Sequence, residues 1–120
     1  MRNKRLVAVV FMACLLCVFA CEKYEGTISG NVVYVEEGIS DVAVNAVITK
    51  IEVKGERETV VAKEKTDTLG NYALEYTTTG SWKVTGRLEI DSLVYEGVSE
   101  VVKIDETNKT ARLNLVLTRK

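Results

Sequence analysis

The chain has no histidine and no proline, and its three cysteines, Cys14, Cys17 and Cys21, all lie in the first 21 of 120 residues. Beyond Cys21 no second thiol exists to close an intramolecular disulfide. Without histidine, and without cysteine past that point, the rest of the chain cannot build imidazole acid–base catalysis, Ser–His or Cys–His nucleophiles, or cysteine–histidine metal sites. Aromatics make up 7% of residues, and both phenylalanines, Phe11 and Phe19, precede Cys21. A core beyond that point therefore rests on aliphatic side chains, Trp82 and tyrosine. With no proline, every turn must come from glycine, asparagine and aspartate.

The one long apolar run is at the start. Arg2, Lys4 and Arg5 form a basic segment, residues 6–20 are uncharged and apolar, and Ala20 precedes Cys21. This is the three-part layout of a secretory signal. A spanning helix needs about 20 apolar residues, more than the run provides. Val18-Phe19-Ala20-Cys21 resembles the lipobox of bacterial lipoproteins. Cys17 follows the bulky Leu16, and Cys14 would leave a very short apolar segment, so Cys21 is the expected lipidation site. The resemblance implies cleavage before Cys21, with acyl chains on its thiol and its new amino group. One chain holds a protein at a membrane only marginally, whereas several make attachment effectively permanent. The expected address is the cell envelope, lipid-anchored to the outer membrane. The start Cys21-Glu22-Lys23-Tyr24-Glu25 is similar to surface-export signals of some Gram-negative lipoproteins.

Residues 1–20 are thus read as signal, 21–26 as lipidated cysteine and tether, and 27–120 as one domain, an ordinary domain size. Losing Arg2, Lys4 and Arg5 leaves 13 of the 16 basic residues against all 17 acidic ones, a net of −4. That sign argues against nucleic acid or anionic lipid as a main partner. Valine and threonine dominate this part, and the hydrophobic period is near two. The pattern predicts strands over 27–35, 42–53, 58–66, 72–76, 82–90, 93–102 and 110–118. Turn residues fall between them at Glu37-Gly38, Lys54-Gly55-Glu56, Gly70-Asn71, Gly80, Asp91 and 105–108. Alternation sends Leu113, Leu115 and Leu117 inward, and Trp82, Val84 and Leu88 likewise. Ala46 and Ile48 disagree in parity with Ile51 and Val53, which predicts a bulge near Thr49-Lys50. Lys63 and Lys65 suit an edge strand defended against further pairing.

The segment Thr66-Asp67-Thr68-Leu69-Gly70-Asn71-Tyr72 resembles the T-D-x-x-G-N-[YF] turn of carboxypeptidase regulatory-like domains. Ile28-Ser29-Gly30-Asn31-Val32 is similar to that family's first strand, and Asn45-Ala46-Val47-Ile48 to its second, with Asn45 in place of glycine. The resemblance implies a seven-stranded antiparallel Greek-key β-sandwich of the transthyretin-like type. Thr66, Asp67, Gly70, Asn71 and Tyr72 then form a structural turn: Asp67 caps backbone N–H groups, Gly70 takes positive φ and Tyr72 enters the core.

Trp82 and Tyr72 have core parity, which leaves Tyr76 and Tyr95, near strand ends, as the candidate ligand contacts. Asp67 and Asn71 lack the alternating acids of a calcium loop. Asn114 could accept a Lys–Asn isopeptide bond of the Cna B type, but its parity is outward. The expectation is a non-catalytic binding or spacer module with no cofactor or metal. Its partners are the membrane through the lipid and another envelope protein or a glycan, not nucleic acid. The rival roles are an accessory to an outer-membrane uptake system, or an adhesin or fibre subunit.

Overall fold

The computed structural model describes residues 25–120, which form ten strands and no helix. Cys21 and the whole of 1–24 lie outside the described residues. The strands are β1 (Glu25–Glu36), β2 (Ile39–Val42), β3 (Val47–Lys54), β4 (Arg57–Lys65), β5 (Asn71–Thr78), β6 (Gly80–Ile90), β7 (Leu93–Val98), β8 (Val102–Ile104), β9 (Thr110–Arg112) and β10 (Leu115–Arg119). Their pairing runs β2-β1-β10-β7-β6-β3-β4, with β5 and β9 on β1 and β8 on β6.

The strand count and the sheet type correct the expected seven antiparallel strands. Three expected strands are each broken in two. Residues 42–53 split where Asn45 takes φ 59°. There Thr66 Oγ1 accepts from Ala46 N and donates to Ala43 O, filling a corner between Ala43 and Ala46, both fully buried. Residues 93–102 split as β7 hands over to β8, both laid along β6. Residues 110–118 split at Leu113-Asn114, where the chain passes from one layer to the other. The sheet is mixed because β1 pairs in parallel with both β9 and β10. More than 70 residues separate these strands, so no tight turn forces them antiparallel.

β1 joins the two layers. Its first half pairs with β5 and β9, its second half with β2 and β10. The alternation of Gly26, Ile28, Gly30 and Val32 turns every second position inward. Between the layers lies one core that includes Ile28, Ile48, Leu74, Trp82, Val84 and Leu117. Two-residue turns close the hairpins. Glu37-Gly38 and Asp91-Ser92 each have positive φ at both positions, the form whose twist matches the flanking strands.

At the strand expected to be bulged, the alternation of β3 in fact runs straight through its pairing with β6. The extra residue is Val61, on the neighbouring β4, because Lys50 faces Ala62 while Ile51 faces Val60. The inward row therefore continues from Ile48 to Lys50, and Ile51 sits on the opposite face. β4 forms an edge of the larger layer, nine residues long and exposed almost throughout. Its bulge and its Lys63 and Lys65 both discourage further strand pairing.

Candidate functional site

The turn over Thr66 to Tyr72 is a closed hydrogen-bonded unit. Asp67 Oδ1 accepts from Leu69 N and Asn71 N, both at 2.9 Å, and Gly70 has φ 78°. Asn71 Oδ1 accepts from Asn31 Nδ2, which also donates to Leu69 O, tying the turn to β1. Tyr72 is buried and its hydroxyl donates to Leu113 O across the core. Burial pushes its pKa up to about 12, against a smaller opposing pull from Arg112. Asn114 Oδ1 accepts from the Asn31 backbone N–H at 2.9 Å, joining the β9–β10 crossover to β1. The carboxylate and amides of this turn are engaged by the fold itself.

The two candidate ligand tyrosines have opposite environments. Tyr95 is 3% exposed, so its ring is not a surface contact. It faces inward on β7, packs 5.1 Å from Tyr34 and donates to the Glu36 carboxylate, which also accepts from Arg119 Nη1. That hydrogen bond raises the Tyr95 pKa. Strand parity, which nearness to a strand end obscured, decides its burial. Tyr76 is 74% exposed and lies in a bulge where Glu75 and Tyr76 together oppose Thr27. Its φ of 56° is the left-handed region, which costs a non-glycine residue about 1–2 kcal/mol. The two rings form no common patch.

That bulge serves a buried lysine that no local sequence signal marks. Lys50 is 4% exposed, and its Nζ donates to Thr77 Oγ1 at 3.2 Å and Glu75 O at 3.4 Å. The ammonium also lies 5.2 Å from the centre of the Trp82 ring, within cation–π range. Among the described residues no carboxylate pairs with it. Desolvation lowers its pKa. The folded protein therefore binds this proton less tightly than the unfolded chain, and stability rises with pH from the lowered value toward the unfolded value near 10.5. Lys50→Met keeps the length and removes the buried charge. It is expected to leave stability unchanged or raise it by up to about 2 kcal/mol at neutral pH. The margin over wild type should shrink between neutral pH and the unfolded value near 10.5. Urea denaturation at both ends of that range checks this, and a margin that widens with pH would contradict the assignment.

The concave surface lies on the outer face of the larger layer, away from the core. Register builds it. Thr49 stands opposite Lys63 on one side and Thr85 on the other, and Thr85 opposite Val98. One row along, Val47 stands opposite Lys65 and Arg87, and Arg87 opposite Glu96. The groove enclosed by these rows has a volume of about 470 Å³, and a second hollow of about 490 Å³ shares Val47 and Lys63. Its floor is small side chains and strand backbone, and its rim is charged. Arg87 Nε approaches Glu96 only to 3.9 Å, and Lys63 and Lys65 make no ion pair among the described residues. No sequence signal within one strand points to this groove, because its residues come from four strands.

No protein-family model and no curated protein matches this sequence. Two solved structures match parts of this one. One is a Pseudomonas aeruginosa protein described as "a putative carbohydrate binding protein", with TM-score 0.54 and 13% identity, covering 82% of this chain and 90% of that one. The other is described as an alternative pilotin from the type II secretion system of Vibrio cholerae, with TM-score 0.48 and 20% identity, covering 80% of this chain and 97% of that one.

Proposed function

We propose that this chain is a lipid-anchored, non-catalytic binding module of the bacterial outer membrane, built on a carboxypeptidase regulatory-like scaffold and facing outward. The groove across β4, β3, β6 and β7 carries the binding part of this reading. It is a rigid sheet face whose backbone is held in ladders and whose rim presents uncompensated charge, an arrangement suited to holding a ligand. The anchor part rests on Val18-Phe19-Ala20-Cys21 and the basic and apolar segments before it. The description of the Pseudomonas neighbour as carbohydrate-binding supports a glycan over a spacer role. The fibre-subunit reading needs an edge open to a partner's strand, and the charged, bulged β4 does not offer one.

The test is fractionation of cells carrying wild type or Cys21→Ser. Wild type is expected in the outer membrane and extracted by detergent, with the variant soluble or unprocessed. Trypsin added to intact cells should cut at the exposed Lys54-Gly55-Glu56 hairpin while a periplasmic control survives. A variant that fractionates as a processed membrane species like wild type would sink the anchor. Survival of the domain until the outer membrane is opened would place it in the periplasm.

A further inference from the structure

We infer that the groove on the outer face of the larger layer binds an acidic polysaccharide, with Lys63, Lys65 and Arg87 as the groups that hold its anionic substituents. The inference rests on the binding-module reading above and names the ligand class for that site. Three observations carry it. First, charge: the described domain has 12 basic and 16 acidic residues, a net of −4, yet the groove and the hollow adjoining it present Lys63, Lys65 and Arg87 against Glu96 and Glu64. Glu96 is shared between Arg87 at 3.9 Å and Lys120 at 3.6 Å, both solvent-exposed contacts, so cationic character remains available at this one face. Local reversal of the domain's sign is what charge complementarity to an anion requires.

Second, the floor. Thr49 and Thr85 face each other across adjacent strands and present hydroxyls that both donate and accept. Sugar hydroxyls pair with such groups. The floor has no aromatic ring, so neutral-sugar stacking is not its mode, and recognition falls to the hydroxyls and the cations. Third, the backbone. The strands under the groove are paired on both sides at Thr49 and Thr85, so a peptide lying across this face finds no free N–H or C=O to extend a sheet. A polysaccharide needs none.

The full-length chain in detergent is titrated by calorimetry with polygalacturonate, heparin, neutral dextran and poly-L-glutamate. Polygalacturonate carries carboxylates alone and heparin carries carboxylates together with sulfate groups, so tighter binding of heparin marks the sulfates and equal binding the carboxylates. Binding of either is expected to weaken roughly tenfold in Lys63→Gln/Arg87→Gln and to weaken with added salt. Lys103→Gln, a cation outside the groove, should bind as wild type. Unchanged Trp82 fluorescence and urea midpoint show that the double variant is folded. The inference is overturned if neither acidic polysaccharide binds, if the double variant binds as wild type, if dextran binds as well, or if poly-L-glutamate binds as tightly as both. Each of those results leaves the membrane anchoring above untouched, since that reading fails only in the Cys21→Ser fractionation.

Discussion

Gly30→Ala is expected to remove a large part of the domain's stability. A Cβ on Gly30 would lie 1.9 Å from Leu113 O and 2.7 Å from its carbonyl carbon, both backbone atoms that no rotamer change can move. Leu113 is held in place twice over. Its N–H donates to Ser29 O, and its carbonyl accepts from the Tyr72 hydroxyl. Making room means pushing the β9–β10 crossover away from β1, where the two layers are joined. Overpacking against backbone of this kind costs roughly 3–5 kcal/mol, a large part of the 5–15 kcal/mol by which an ordinary domain is stable. Ser29→Ala, beside it on the outer face, should stay within about 0.5 kcal/mol. Urea denaturation followed by Trp82 fluorescence compares the two. A Gly30→Ala protein with the wild-type midpoint and slope would show that the crossover does not pass so close to β1.

Gly70→Val should destabilise by roughly 3 kcal/mol, the combination of two independent penalties. The first is conformational: Gly70 has φ 78°, a region that a β-branched residue enters only with strain. The second is steric, because a Cβ would sit 2.6 Å from Val32 O. That oxygen accepts from Ala43 N, while Gly70 O accepts from Val32 N, so the turn, β1 and the β2–β3 corner are fastened at one point. Loss of the clasp should also loosen Thr66 and the corner at Ala43 and Ala46, lowering amide-exchange protection at Ala43 and Ala46 before the β6–β7 hairpin. Equal protection losses in both regions, or an unchanged midpoint, would mean that Gly70 does not hold this clasp.

The acidic balance of the domain and the charge of the groove illustrate different levels of determination. Net charge is additive and can be read by counting. The position of Thr49 opposite Thr85, and of Val47 opposite Arg87, depends on register between β3 and β6, strands far apart in sequence. Tyr95 is settled by a nearer partner, across the Asp91-Ser92 hairpin. Its place near a strand end was visible, but which face it takes follows from pairing with Leu88 on β6, and that face is the core.

By itself, the sequence determined the all-β class, the hairpin turns and much of the inward row, including Trp82, Val84, Leu113, Leu115 and Leu117. These follow from local rules: period-two alternation, positive φ at glycine and asparagine, and short side chains that cap their own backbone. Asn45, placed where a glycine would serve, takes φ 59° for the same local reason. Only the tertiary structure decided the parallel pairing of β1 with β9 and β10, because alternation looks identical for either strand direction. It alone put Lys50 inward, where the bulge at Tyr76 turns Glu75 O and Thr77 Oγ1 toward the ammonium. A lone lysine between valines and isoleucines reads as an outward residue. Its burial depends on oxygen atoms supplied by a strand 25 and more residues away, in the opposite layer.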